Sequence, residues 1–282
     1  DVMWVCDGAH PVQRLIRLED LNWRMEEFAY VSPPSLLPNT DSTATLSVSK
    51  TSGGVTMSAV GHDPLTLEHV GSYWTLRHLR EAKEITAAGV GNAIPVLGNA
   101  TFETSGKWAG TVNVYKESTA GSGSYTKIGS YTSGSADENG KNFNVRFTED
   151  DESRMYYLDG DVGSAKATLR SESAVIEGAV RVTGFTSPNL VSADVVKEVA
   201  ATTDTSDWSE GAWSDVRGYP SVVCMYERAI WFARTPVYPQ GIWKSETDLF
   251  DSFKLGDEDT SSLFVEMDSK ERNDILWMVD QD

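Results

Sequence analysis

The alternation of apolar and polar residues along this chain predicts short β-strands almost throughout. Apolar residues take every second position at 44–48, a glycine-containing turn follows at 52–54, and the alternation returns at 55–60. A period of two is typical of a strand with one buried face. Two such runs around a glycine turn indicate a β-hairpin over 44–60.

The clearest strand pattern lies between residues 100 and 185. Strand-like runs recur there at 107–115, 125–131, 143–148, 154–158, 165–170 and 179–185. Clusters of Gly, Ser and Asp at 119–124, 134–140 and 159–163 separate several of them. Six or seven short strands in two layers bury far more surface than one pair can, so this spacing predicts an antiparallel β-sandwich.

Both ends of the chain also predict strands. Candidate runs are 2–6, 12–18, 26–31, 221–226, 229–233, 242–245, 263–267 and 275–279. Residues 65–79 are expected to form a strand pair broken at Gly71, and residues 186–203 to cross back as a strand or short helix. Five of the nine tryptophans lie in 204–282. About four short strands per 40–50 residues with Trp near strand ends is the spacing of propeller blades.

The patterns together predict an all-β fold, a propeller-like platform with an inserted antiparallel β-sandwich domain. We expect an N-terminal β platform segment over 1–95 and the sandwich over 96–185. Residues 186–282 should form a C-terminal propeller-like segment that packs with 1–95. The chain opens and closes on strand-like runs, so we expect it to be a truncated piece of a longer protein.

Charge narrows the range of partners. The 282 residues carry a net charge of −18, with 17 acidic against 7 basic residues in 201–282. Such a surface repels nucleic-acid phosphates and anionic membranes. No apolar run approaches the roughly 18 residues that a membrane helix needs. We therefore expect no specific DNA binding and no membrane span.

Catalytic motifs give little support to an enzyme. The histidines are not spaced as zinc ligands, no serine elbow with downstream Asp and His occurs, and no phosphate-binding loop is present. Acidic clusters lie at 149–152, 137–139 and 257–259. The last two are candidate calcium loops, although solvated loop charge is the favoured interpretation. With 42 acidic residues, a glycosidase-like carboxylate pair arises by chance, so a glycan hydrolase stays only a third alternative. The sequence predicts no enzyme, cofactor or metal site.

Two sets of side chains have alternative interpretations. Cys6 and Cys224 lie in apolar runs and are expected to be buried free thiols, with a disulfide as the open alternative. Most aromatic side chains should be core residues, each burying on the order of 150–250 Å². A platform for sugars or receptors is the alternative for four of them: Trp108, Tyr115, Tyr125 and Tyr131.

One family resemblance is carried by the block 207–253. It contains a Trp-Ser-x-x-x-Gly-Tyr-Pro turn at 213–220, a Glu-Arg pair at 227–228, a Pro-Gln-x-x-Trp-x-Ser strand at 239–245 and an aspartate-rich loop. Weaker matches lie at 7–23, 70–71, 105–111 and 269–277. The motif residues are Trp208, Trp213, Gly218, Tyr219, Pro220, Arg228, Pro239, Gln240, Trp243 and Ser245. This pattern resembles the tail nozzle proteins of short-tailed bacteriophages, also called tail tubular protein B-like or stabilisation proteins.

The resemblance implies a structural virion protein. Proteins of that family form a ring, commonly sixfold, below the portal and adaptor, and guide genome exit. The implied partners are copies of the same chain and other tail and adaptor proteins, with DNA passing transiently. The implied location is the virion, after assembly in the host cytoplasm. The alternative function is a carbohydrate- or receptor-binding β module of a phage tail.

Overall fold

The all-β prediction is confirmed. The computed structural model describes residues 1–134, 141–256, 259–267 and 273–279, apart from the side chains of 150–152. The strands are β1 (Val2–Val5), β2 (Gln13–Glu19), β3 (Asn22–Glu27), β4 (Thr45–Val48), β5 (Gly54–Val60), β6 (Tyr73–Arg80), β7 (Glu84–Ile85), β8 (Ile94–Glu103), β9 (Gly110–Glu117), β10 (Tyr125–Ser133), β11 (Asn144–Gly160), β12 (Thr168–Ser171), β13 (Ala174–Ser187), β14 (Leu190–Lys197), β15 (Trp208–Glu210), β16 (Val222–Tyr226), β17 (Ala229–Ala233), β18 (Gly241–Lys244) and β19 (Leu263–Glu266). Single 3-10 turns occur at Leu67–His69 and Val90–Asn92.

The chain divides into two compact units. The first contains Asp1–His78 and Ile176–Asp282, and the inserted unit contains Leu79–Val175. The sequence placed the limits of the insertion at 96 and 185. β7 belongs to the inserted unit because it pairs with β12, with Ile85 opposite Leu169. Most of β13 belongs to the first unit because its later residues pair with β14.

The inserted unit is one curled antiparallel sheet. Its strand order is β10-β9-β11-β8-β12-β7. The long strand β11 pairs with β8 along its first part and with β9 at its end, and the register shifts between Glu149 and Arg154. Ile85 on one outer strand and Tyr131 on the other pack on the same apolar core. Both ends of the strand order therefore face one core, and the layers expected of a sandwich are parts of a continuous sheet.

The first unit contains a six-stranded sheet in the order β15-β6-β13-β14-β5-β4. The hairpin predicted over 44–60 is confirmed as β4 and β5, with Val48 opposite Met57. The crossing segment after 186 forms strand β14. The strand pair expected at 65–79 is wrong in its first half, where a 3-10 turn precedes the single strand β6. The His69 ring accepts the backbone N–H of Thr66 at 2.9 Å, which closes this turn.

Two smaller meanders complete the first unit, β1-β2-β3 and β16-β17-β18-β19. The strand expected at 275–279 is wrong, because the described residues 273–279 hold no regular ladder. The backbone N–H of Ile275 donates to the carbonyl of Pro239 at 3.1 Å, yet Leu276 and Trp277 remain 70% and 72% exposed. One hydrogen bond does not make a strand, which needs successive pairs along a partner. Residues 269–272 of the predicted motif lie outside the described ranges.

Both cysteines are free thiols, as predicted, but each is half-buried. Burial, with a smaller contribution from the neighbouring Asp7 charge, raises the pKa of Cys6 to about 11. The Cys6 side chain packs at the margin of the aromatic core described below.

Candidate functional site

The motif residues Tyr219, Trp243 and Trp213 share one apolar cluster, in which Trp213 makes four ring contacts. Its indole meets the rings of Phe232, Phe253, Trp243 and Tyr30 edge-on, with centroid distances of 5.1, 5.7, 5.8 and 5.8 Å. Edge-to-face pairs of this kind add about 0.5–1.5 kcal/mol each beyond the area they bury. These rings form the centre of the first unit's second apolar cluster, which we call the aromatic core: Val12, Phe28, Ala212, Trp213, Tyr219, Ile230, Phe232, Trp243 and Phe253.

The turn at 213–220 is closed by its own backbone. Ser214 and Gly218 exchange two N–H to carbonyl bonds, at 3.2 and 2.6 Å. Gly218 has φ +78°, and a Cβ there would lie 2.2 Å from Cδ of Pro236, so only glycine fits. The hydroxyl of Tyr219 donates to Asp215 at 3.0 Å. Burial and this hydrogen bond raise the pKa of Tyr219 above its usual range.

The same turn is hydrogen-bonded to the start of the chain. The N–H of Gly8 donates to the carbonyl of Pro220 at 3.1 Å, and the N–H of Tyr219 donates to the carbonyl of Gly8 at 3.3 Å. The Asp7 carboxylate accepts from the His10 ring at 2.7 Å and from the N–H groups of Ala9 and His10 at 2.9 Å. These bonds lower the pKa of Asp7 to about 2. Two motif pieces at opposite ends of the sequence therefore form one local structure.

Glu210 joins this turn to the six-stranded sheet. Its carboxylate receives a bidentate pair from Arg217, at 2.7 Å from Nε and 2.5 Å from Nη2. Nδ1 of His69 accepts the N–H of Thr66, so the neutral ring carries its proton on Nε2, which lies 3.4 Å from Glu210. Burial opposes the Glu210 charge, but the bonds from His69 and Arg217 outweigh it and lower the Glu210 pKa. The sequence motif did not include Glu210 or His69.

Arg228 lies in a strained hairpin turn. Tyr226 pairs with Ala229 across β16 and β17, leaving Glu227 and Arg228 as a two-residue loop with φ +48° and +61°. Positive φ at both positions defines a type I′ turn, which usually takes Asn or Gly. The guanidinium of Arg228 binds both carboxylate oxygens of Asp248. The N–H of Asp248 in turn donates to the Arg228 carbonyl at 2.8 Å. The pair lies on the surface, with side chains 75% and 50% exposed, and joins the hairpin loop to the segment around Asp248.

The remaining motif residues of this block anchor strand β18. The carbonyls of Pro239 and Gln240 accept the N–H groups of Ile275 at 3.1 Å and Met267 at 3.3 Å. Trp243 is buried and stacks on Phe264 at 5.0 Å. The fully buried hydroxyl of Ser245 accepts the N–H of Ile230 at 3.0 Å and donates to the carbonyl of Glu246 at 2.9 Å.

Trp208 is separated from the other tryptophans of the motif. It lies on β15 at the edge of the six-stranded sheet and packs on that sheet's own core. Its Nε1 donates to the carbonyl of Ala44 at 3.0 Å, and His62 stacks on the indole at 5.1 Å. The 207–253 block thus supplies residues to two cores of the first unit.

The four candidate platform aromatics of the inserted unit are not brought together. Trp108 is buried in the core, and Tyr131 packs against that core. Tyr115 stacks on Tyr157 at 4.8 Å with the rings 5° from parallel, and Tyr125 meets Tyr157 edge-on at 5.0 Å. Each of these three rings is half-buried. The sequence interpretation missed Tyr157, which could be found only from the register that places it opposite Tyr115.

The titratable clusters form no metal centre among the described residues, where no three His, Cys, Asp or Glu side chains converge. The candidate loop 137–139 and residues 257–258 lie outside those residues. Glu149 is buried between the Tyr156 hydroxyl and the Lys116 ammonium, and is therefore a structural charge within the inserted unit.

Within the described part of the chain, no helix combines the length and apolar character needed to cross a bilayer.

No protein-family model matches the chain, and no curated protein matches it either.

Proposed function

We propose that this chain is a structural virion protein, a subunit of the tail nozzle ring through which a short-tailed bacteriophage ejects its genome. The observation that carries the proposal is the junction of Gly8 with Tyr219 and Pro220. The resemblance lies in motif pieces at the two ends of the sequence, and the fold joins them by two backbone hydrogen bonds. Because these hydrogen bonds place the motif pieces in one local structure, the pieces are expected to occur together in a sequence.

The chemistry of the motif favours an architectural role over catalysis. Gly218 permits a turn, Arg228 joins a hairpin loop to Asp248, Ser245 satisfies a buried backbone group, and Trp213 and Trp243 fill a core. Each of these roles stabilises the fold and leaves no reactive group facing a ligand. We therefore propose no enzymatic activity for this block.

A sheet face with exposed apolar side chains supports self-association, although Arg17 lies over the Trp23 ring on it. Met3 lies opposite Leu15, and Leu15 opposite Met25, across β1-β2-β3. Met3 and Met25 are 53% and 57% exposed, and Trp23 on the same face is 50% exposed. Trp4, which points to the other face because strand residues alternate, packs on the aromatic core. A ring places one surface of each copy against a different surface of its neighbour, and this face suits such a contact.

Net charge supports the proposed passage of DNA. A wall with a share of the −18 charge would repel phosphates and let DNA slide without binding. The repulsion decays over about 8 Å at physiological salt, so it acts only in a narrow bore. The proposed location is the phage tail, with adaptor and other tail proteins as partners.

Size-exclusion chromatography with light scattering, followed by negative-stain imaging, tests the proposal. We expect a closed ring of fixed stoichiometry from the full chain as concentration rises. Trp23→Glu should abolish the ring by placing a charge on the apolar face. Val175→Glu, at an exposed position of the inserted unit, is the matched control and should leave the ring intact. A chain that stays monomeric at every soluble concentration, or that forms open filaments, argues against the nozzle assignment.

The second candidate function remains a carbohydrate- or receptor-binding β module. The observation that favours it is a polar cleft in the inserted unit, lined in part by Glu103, Asn144 and Thr168 at three strand ends.

A further inference from the structure

The four-stranded sheet β16-β17-β18-β19 is apolar on both of its faces. Phe232, Trp243 and Phe264 lie opposite one another on three of its strands and pack in the aromatic core. Side chains alternate along a strand, so the residues on either side of these three point to the opposite face. With their partners on β16 they form two rows: Cys224, Trp231, Lys244 and Leu263 in the first, and Val222, Ala233, Ile242 and Val265 in the second. A sheet face in contact with water usually carries polar residues, and here seven of the eight are apolar.

The lysine in the first row does not make this face polar. The Lys244 side chain is 9% exposed, and its ammonium donates to the carbonyls of Asp259 and Ser261, both at 3.0 Å. Leu263 and Val265, in contrast, are 42% and 40% exposed. We call these two residues and the half-buried residues Cys224, Trp231 and Ile242 the C-terminal sheet face. Apolar side chains that are exposed together on several strands are typical of an interaction surface.

The sheet β1-β2-β3 has the same two-sided construction. Trp4 on its inner face packs against the aromatic core. Its outer face carries Met3, Leu15, Trp23 and Met25, which we call the N-terminal sheet face. Both sheets place their inner faces on one core, so each outer face is turned away from that core. The two outer faces are therefore separate surfaces of the first unit, which one copy can present to two different neighbours.

Charges beside the two faces have opposite signs. The Arg17 guanidinium lies 5.9 Å over the Trp23 ring of the N-terminal sheet face. Its partners at 2.6 and 3.4 Å are surface carboxylates of its own chain, and such pairs are worth only about 0–1 kcal/mol, so it can also bind a carboxylate of a neighbour. Glu227 in the β16-β17 loop and Glu266 next to Val265 are exposed, and in the part of the chain that the structure describes neither forms an ion pair. Opposite charges across an interface select the partner and its orientation.

We propose that the C-terminal sheet face of one copy receives the N-terminal sheet face of a second copy of this chain. The indole of Trp23 and the methionines beside it pack on Trp231, Leu263 and Val265 of the neighbour. Because each copy offers both faces, the contact repeats from copy to copy, and it closes into a ring when the rotation per copy divides a full turn. This inference rests on the proposed function, since it names the two surfaces that meet in the ring.

The test mixes two variants of the full chain, each with one face blocked. Trp23→Glu places a carboxylate on the N-terminal sheet face, and Val265→Glu places one on the C-terminal sheet face. Each variant alone should be monomeric by size-exclusion chromatography with light scattering, because every contact would include a blocked face. An equimolar mixture should give a 1:1 dimer of twice the 30.9 kDa chain mass, since one intact face of each kind remains. Val175→Glu, at an exposed position of the inserted unit, is the control and should assemble like the unmodified chain.

Two further measurements keep the test independent of misfolding. Circular dichroism checks that each variant keeps its β structure, and Leu263→Lys replaces Val265→Glu if the latter does not fold. The Cys224 thiol on the C-terminal sheet face supplies a readout in the unmodified chain. Its alkylation by iodoacetamide, followed by peptide mass spectrometry, should slow in proportion to the fraction assembled.

The possible failures separate this inference from the proposed function. If Val265→Glu and Leu263→Lys assemble as the unmodified chain does, or if the mixture of blocked variants stays monomeric, the pairing of these two faces is overturned while the ring itself stands. Equal alkylation of Cys224 in the assembled and monomeric forms would overturn it in the same way. If the unmodified chain never assembles, the proposed function fails and this inference fails with it.

Discussion

The aromatic core of the first unit and the core of the inserted unit differ in composition and in origin. Six of nine buried residues in the aromatic core are aromatic, against three of fourteen in the inserted unit. The aromatic core takes residues from turns and loops, such as Trp213 and Phe253. The inserted core is mainly aliphatic and lies along alternating positions of strands such as β8 and β9.

Both units bury an apolar core, but the core of the inserted unit lies on strands, whereas the aromatic core lies largely on turns and loops. Strands that alternate cleanly can fill a core with Val, Leu and Ala, because each strand presents a continuous apolar face. A core built from turns has fewer positions to fill, so each side chain must bury more area. Large aromatic rings in edge-to-face contact meet that need. The first unit should therefore depend more strongly on single residues than the inserted unit does.

Two tryptophans of similar burial make the strongest test. Trp213 and Trp108 are 5% and 4% exposed, but Trp213 contacts four rings whereas Phe143 is the ring partner described for Trp108. Truncation of a buried Trp costs about 3–5 kcal/mol. We expect Trp213→Ala to lower the free energy of unfolding of its unit by at least about 1 kcal/mol more than Trp108→Ala lowers that of the inserted unit, because it loses more aromatic pairs. Urea unfolding followed by circular dichroism measures both. Equal losses would contradict the comparison.

Two glycines with positive φ separate backbone conformation from packing. Gly218 and Gly121 have φ +78° and +69°, but an added Cβ meets Pro236 only at Gly218, and nothing lies within 4 Å at Gly121. Gly121→Ala should cost about 1–2 kcal/mol, the penalty of a left-handed residue. Gly218→Ala should cost about 1–3 kcal/mol more, because the turn must also move away from Pro236. Thermal unfolding of the two variants measures both losses of stability. A similar loss for both would show that the 213–220 turn can move away from Pro236 at little cost.

The smallest expected difference in stability is between substitutions of two glutamates, one partly buried and one exposed. Glu210→Gln removes the charge that binds Arg217 at a side chain 13% exposed, whereas Glu172→Gln affects a pair with Arg146 at 55% exposure. We expect a loss of about 1.5–3 kcal/mol for Glu210→Gln and less than about 1 kcal/mol for Glu172→Gln.

The pH dependence of the same pair has a defined sign. Because folding lowers the Glu210 pKa from its ordinary value of 4.5, its contribution to stability is present above pH 4.5. It is lost as pH falls through the folded-state pKa. Unfolding experiments from pH 7 downward should show a smaller acid-induced loss in Glu210→Gln than in the unmodified chain. Parallel losses in the two proteins would assign the acid sensitivity to other groups.

Local pattern predicted the strands well where they alternate. The hairpin over 44–60 and the strands β16, β17 and β18 lie within a residue or so of their predicted positions. The prediction was wrong at 65–72, where the His69 ring closes a turn, and at 275–279, where apolar alternation met no partner strand. Alternation shows that a segment can pair; it does not supply the strand with which it pairs.

The sequence predicted the turn at 213–220 and a core role for most aromatic residues, but not which core each residue joins. Tryptophans at 208 and 213 are five positions apart and look equivalent in the sequence, yet they pack in different cores. Glu210 and His69 carry no motif, and their contact joins segments 141 positions apart. In the inserted unit, Glu103, Asn144 and Thr168 likewise come from three separate strands.

The sequence by itself determined the β class and most of the strands. A period of two in apolar residues depends only on the order of neighbouring residues in the chain. The tertiary structure decided that Gly8 meets Pro220, which tryptophan joins which core, and that Glu103 stands between Asn144 and Thr168. Those contacts are selected by the packing of whole sheets, because the free energy that fixes a long-range pair comes from area buried across many strands at once.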